Sequence, residues 1–191
     1  MPTIYNKPSN IAYTVNWLLI IFIISINSYV LWGMFGPRIA LQVKSSMADP
    51  PKIEALDNRT TENRLVIPSI YLDTKINEGS TYDALLSGAW RRPATSTPEL
   101  GGNTVLAGHR FTYQGASIFY NLDKVRIGDE IGVTYNGKLY KYKVREVVIT
   151  TPSNTDIEAP KNETILTLYT CTPLWTTEKR LVIIAEMDDG N

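Results

Sequence analysis

The chain has a single cysteine and a single histidine in 191 residues, Cys171 and His109. One thiol makes no intramolecular disulfide, so an exported form of this chain rests on core packing and keeps its thiol free. One Cys and one His do not complete a tetrahedral zinc shell, and no closely spaced acidic pair completes it for them. The G-x-S-x-G pattern of a serine nucleophile is missing, and no glycine-rich phosphate loop follows a strand-like run. Net charge is lacking too. Nineteen Lys and Arg balance nineteen Asp and Glu, without a dense basic cluster, which argues against nucleic acid as a partner. Any imidazole or thiolate chemistry therefore belongs to His109 and Cys171.

Charge is also absent locally. Between Lys7 and Arg38 there is no charged residue, and the centre of that gap, Trp17 to Phe35, reads WLLIIFIISINSYVLWGMF. At 1.5 Å rise per residue, about 20 such residues cross a hydrocarbon core of ~30 Å. Trp17 at one end and Tyr29 and Trp32 near the other suit the two interfacial zones, while Ser25, Asn27 and Ser28 need partners or a place near one surface. A cleaved signal peptide would have a shorter apolar run and a small-x-small cleavage site, which YVLWGMFGP does not offer. The reading is an uncleaved membrane anchor. Lys7 and the α-amino group on one side face Arg38 and Lys44 on the other, so charge alone leaves its orientation open.

The domain expectations are a short N-terminal segment over 1–10, a transmembrane anchor over 11–36, a polar linker with Pro50-Pro51 over 37–63, and one folded domain over 64–191. That domain reads as β. RLVIPSIYLDTKI is a short apolar run that Pro68 marks as an edge strand or bulge, and GGNTVLAGHR is a turn followed by a strand. DEIGVTYNGKLYKYKVREVVIT is a hairpin with Asn136-Gly137 at its turn. ETILTLYTC and KRLVIIAE are two more strands, while TYDALLSGAWRRP has room for a short helix. Strands at this spacing, without long amphipathic helices between them, predict a closed or nearly closed antiparallel barrel or sandwich.

Alternation along ILTLYTC puts Ile165, Thr167, Tyr169 and Cys171 on one face and Leu166, Leu168 and Thr170 on the other. Cys171 then sits where Pro173 ends the strand, at the border of a loop that substrate can reach. His109 closes its own strand in the same way. Arg180 begins the last strand nine residues after the cysteine, placed to favour a thiolate or to donate to a developing oxyanion. Taken singly, a lone cysteine serves equally as a small buried apolar side chain, and a lone histidine as a hydrogen-bonded surface residue.

Together these residues resemble the sortases. TLYTC matches the T-L-x-T-C signature of that family, NTVLAGHR is similar to the segment that carries its histidine, and KRLVIIAE to the strand that opens with its arginine. SIFYNLDKVRIGDEI and RLVIPSIYLDTKI add to the resemblance, which runs in family order from about residue 64 to 186. It implies a sortase-type closed antiparallel β-barrel of about eight strands with short helices, behind one transmembrane helix. It implies a cysteine transpeptidase of the bacterial plasma membrane, single-pass, with its N-terminus cytoplasmic and its catalytic domain outside. By this resemblance Cys171 attacks the Thr–Gly carbonyl of an LPxTG-like sorting signal at the C-terminus of a secreted protein. His109 carries the proton, Arg180 holds the carbonyl or oxyanion, and Thr170 supports the oxyanion or substrate. An amine then resolves the acyl enzyme, from a cell-wall precursor peptide or a pilin lysine. The linker has Asp49-Pro50 followed by Pro51 without an aromatic plug, and the chain stops at EMDDGN, so wall attachment is favoured over pilin polymerisation. A thiol hydrolase and an inactive membrane-tethered binding module are the other readings. No cofactor is expected: Asp156, Glu158 and Glu163 lie where some relatives bind calcium, and read here as a solvated acidic loop.

Overall fold

The computed structural model describes residues 10–47, 49–56, 62–112 and 115–188, in two compact units divided between Met47 and Ala48. The N-terminal segment expected over 1–10 lies outside the described residues except for Asn10. The first unit is one helix, α1, Asn10–Met47. Among the described residues it holds the one span long and apolar enough to cross a membrane, Tyr13–Gly33. Two polar side chains within that span bond to the helix itself, Ser25 Oγ donating to the Ile21 carbonyl at 2.9 Å and Asn27 Nδ2 to the Ile23 carbonyl at 2.8 Å. The linker expected from residue 37 therefore begins as helix. Pro37 forfeits one backbone bond, but Ala40, Leu41 and Gln42 behind it are strong helix formers.

The second unit is a barrel. Its strands are β1 Arg64–Ile67, β2 Leu72–Asn77, β3 Ala89–Arg91, β4 Asn103–Ala107, β7 Glu130–Tyr135, β8 Lys138–Thr150, β9 Ile165–Thr172 and β10 Lys179–Met187, with a separate pair β5 Phe111–Thr112 and β6 Gly115–Ala116. The eight close in the order β1-β2-β3-β4-β9-β10-β8-β7. Closure leaves no edge, so the run that Pro68 marked as an edge strand has another form. Pro68 ends β1 and opens a 3₁₀ turn, and β2 returns antiparallel with Ile67 opposite Leu72. Asn136 and Gly137 take φ of 49° and 77° between β7 and β8, the left-handed pair that a two-residue hairpin turn requires.

Two pairings, β2 with β3 and β4 with β9, are parallel within the otherwise antiparallel barrel. Parallel neighbours need a crossover, and the chain between β4 and β9 runs through nearly half of the domain. That crossover sets the site, because it lays the end of the histidine strand beside the end of the cysteine strand. Leu65, Ile67, Leu106, Ile131, Val133, Leu166, Leu168, Leu181 and Ile183 fill the interior, with Phe119 and Leu122 plugging it; none is more than 4% exposed. Linker residues 49–56 pack against the barrel. Ile53 is buried against Val66 and Leu139, and Lys141 meets Glu54 at 3.3 Å, so 49–56 rests on the β1 side, across the barrel from β9.

Candidate active site

Alternation along β9 is as the sequence predicts: Leu166, Leu168 and Thr170 enter the barrel, while Tyr169 and Cys171 are partly exposed on the outer face. Position follows from backbone pairing. Ala107 of β4 lies beside Tyr169, the Gly108 amide donates to the Tyr169 carbonyl at 3.2 Å, and the next residue is His109. From the other side, Arg180 of β10 lies directly opposite Cys171. Paired residues of antiparallel strands share a face, so the guanidinium is on the side of the thiol.

Cys171 and His109 line one cleft of about 610 Å³, together with Arg110, Phe111, Pro173 and Trp175. Its aromatic roof is Phe111 against Trp175, with ring centroids 3.7 Å apart and the planes tilted by 49°. Trp175 is 58% exposed and has φ 74°, a backbone state that a bulky residue adopts only where its surroundings enforce it. Arg180 donates through Nη1 to the carbonyls of Thr177 at 3.1 Å and Lys179 at 3.2 Å, which braces the loop after Cys171. Among the described residues no partner holds its Nε or Nη2, and Arg180 is not one of the residues that line the cleft.

Thr170 is placed differently from the other three. It is buried within the barrel, and its hydroxyl donates to the Gly108 carbonyl at 2.7 Å, on the face opposite the thiol. What it supports directly is the position of Gly108, and through it His109. A second observation explains that glycine. A Cβ at Gly108 would lie 2.5 Å from the buried Phe119 ring, so only glycine lets the histidine segment close onto the barrel plug.

Two residues before the cysteine, Tyr169 anchors the loop between β8 and β9. Its hydroxyl donates to Glu158 Oε1 at 2.7 Å, and Arg92 Nε donates to the same oxygen at 2.8 Å while its guanidinium lies over the Trp90 ring at 4.3 Å. Burial and the Glu158 acceptor push the Tyr169 phenol far above its ordinary pKa, so it remains a donor at all working pH values. Asn103 Nδ2 holds the same loop by two bonds of 3.0 Å, to the Ile157 and Ala159 carbonyls. The loop's acidic residues are thus partly spent on protein partners, with Glu163 bound to Arg145 at 2.7 Å. Among the described residues no group of three or more His, Cys, Asp or Glu is arranged to hold a metal ion. Glu158→Ala is expected to raise amide exchange across residues 154–161 while β7 and β8 keep their protection, as hydrogen–deuterium exchange read by mass spectrometry will show.

The features missed by sequence reasoning are Arg110, the Phe111–Trp175 roof, and the Tyr169–Glu158–Arg92 anchor. Only the basic residue after the lone histidine offered a signal.

An eight-stranded barrel that turns its one thiol and one imidazole into a shared cleft, with an arginine across from the thiol, has the parts of a cysteine-nucleophile enzyme. Comparison makes this specific. The Sortase domain family matches residues 65–188, and the chain belongs to the sortase family, whose members are cysteine transpeptidases. It is 29% identical over 151 residues to sortase A of Bacillus anthracis, covering 76% of this chain and 70% of that one. Among solved structures, sortase A from Corynebacterium diphtheriae aligns with a TM-score of 0.62 at 30% identity, over 70% of this chain and 63% of that one. This chain therefore spans just under two thirds of that relative's length. The Clostridium perfringens sortase D5 transpeptidase aligns with a TM-score of 0.59 at 29% identity, over 78% and 94% of the two chains.

Proposed function

We propose that this protein is a membrane-anchored transpeptidase that cleaves an LPxTG-like sorting signal and joins the new acyl end to an amine. The observation that carries the proposal is the shared cleft of Cys171 and His109 with Arg180 opposite the thiol. Cys171 Sγ attacks the carbonyl between Thr and Gly of the signal, and the C–N bond breaks as the C–S bond forms. His109 delivers a proton to the departing amine and later accepts one from the incoming amine. The free donors of Arg180 face the carbonyl oxygen as charge develops on it. Thr170 acts through Gly108, keeping the imidazole at its place.

The Tyr13–Gly33 span supports a plasma-membrane anchor; the resemblance to the family supplies the orientation in this reading, N-terminus cytoplasmic and barrel outside, where secreted proteins pass. The accepting amine is that of a cell-wall precursor peptide, and no cofactor takes part.

The test uses the full chain in detergent micelles with a panel of fluorogenic LPxTG-type peptides, with and without an amine, read by mass spectrometry. A thioacyl adduct on Cys171 and an amine-dependent ligated product are expected. Cleavage without ligation would point to a hydrolase, and a Cys171 that gives no adduct with any peptide and resists thiol reagents would sink the catalytic reading.

A further inference from the structure

We propose that Arg110 is a positioning residue of this site, whose buried guanidinium ties the segment bearing His109 to the strand bearing Cys171 and so sets the imidazole against the thiol. The inference rests on the roles given above to those two residues. Arg110 is 9% exposed and has partners in three directions. Nη1 donates to Thr172 Oγ1 at 2.9 Å, Nη2 meets Asp123 Oδ2 at 2.8 Å, and Nε donates to the Tyr120 carbonyl at 3.4 Å. Arg110 directly follows His109, and Thr172 directly follows Cys171. One rigid plane therefore connects the neighbours of both reacting side chains with the turn that contains Asp123.

A cation this buried is retained only when it is fully partnered, and loss of one partner leaves the rest misplaced. The geometry also selects arginine. A lysine ammonium has a single mobile point of attachment, whereas the guanidinium fork fixes three directions at once. The backbone of the same segment is held from its other side, with the Phe119 amide donating to the His109 carbonyl at 3.0 Å and the Ser117 amide to the Arg110 carbonyl at 3.2 Å. On its N-terminal side the segment is already tied to β9 through Gly108, bonded to Tyr169 and Thr170, which leaves the gap to β9 on the C-terminal side of His109. The Arg110–Thr172 bond spans that gap.

The test compares Arg110→Lys, Thr172→Val and Thr172→Ser with the unaltered full chain in detergent. Thr172→Val removes the acceptor of Nη1 without touching the thiol, and Thr172→Ser restores it. Because misplacement by about 1 Å costs on the order of 100-fold, kcat is expected to fall about 100-fold in Arg110→Lys and about 10-fold in Thr172→Val, with KM held within about twofold and Thr172→Ser recovering most of the loss. Alkylation of Cys171 by iodoacetamide at pH 7 is expected to slow in the first two variants, because a displaced imidazole is no longer in place to take the thiol's proton as the sulfur attacks. Local unfolding has the opposite sign, since it bares the thiol and speeds alkylation. Unchanged kcat in both variants, a loss confined to KM, or faster alkylation with a lowered melting temperature overturns the proposal. If the unaltered chain acts on no peptide, that failure belongs to the proposed function. Alkylation then decides alone: slower in Arg110→Lys upholds the positioning role, unchanged or faster ends it.

Discussion

Cys171→Ala is expected to abolish both the acyl adduct and the ligated product while leaving the melting temperature nearly unchanged. The two halves of this expectation have separate causes. Removing the nucleophile of a covalent mechanism costs on the order of 10⁴-fold or more in kcat, since His109 and Arg180 then serve no attacking atom. Stability is spared because Cys171 is partly exposed on the outer face of β9 and takes no part in the interior cluster. Kinetics with the preferred peptide, mass spectrometry of the trapped enzyme and a thermal melt of the same preparation measure all three quantities. Retained ligation at a tenth of the original rate or better would remove Cys171 from the mechanism.

The second large effect comes from a residue with no chemistry of its own. Gly108→Ala is expected to destabilise the barrel by about 1–3 kcal/mol through overpacking, and to lower kcat as well. The added methyl would meet the Phe119 ring at 2.5 Å and 2.8 Å and the Ile118 side chain at 2.9 Å. Phe119 is fully buried and has nowhere to retreat, so the main chain at 108 must yield. Moving it strains the bonds to Tyr169 and Thr170 and shifts His109 from the thiol; a displacement near 1 Å corresponds to about a 100-fold loss. Circular dichroism melts and the peptide assay read the two effects independently. A variant with normal stability and normal kcat would show that the segment relaxes freely, contrary to the packing described.

Some of the site was legible because it depended on local pattern or on scarcity. Two-residue alternation placed Cys171 with Tyr169 on the face opposite Leu166, Leu168 and Thr170, Asn136-Gly137 marked the hairpin of β7 and β8, and single copies of Cys and His left no rival for thiol or imidazole chemistry. Thr170 shows where such reading stops. The resemblance to the family implied oxyanion or substrate support, but the same alternation turns its hydroxyl inward, where Gly108 takes it. Pro68 shows another limit, since a proline that interrupts an apolar run reads the same at an edge, a bulge or a turn, and only the return of β2 distinguishes them.

By itself, then, the sequence determined the apolar span, the β character of the domain, the face on which the thiol lies, and the short list of groups able to do chemistry. These follow from composition and from periods of two residues or of a helical turn, which a chain carries wherever it folds. Tertiary structure alone decided that β4 lies parallel to β9, that Arg110 reaches Thr172 across 62 positions, that Phe119 requires a glycine at 108, and that Glu158 joins Tyr169 to Arg92. Each is a contact between segments with no local signal for one another. Their pairing is selected only when the barrel closes, because only then does burial of the shared core select one register and bring the strand ends together.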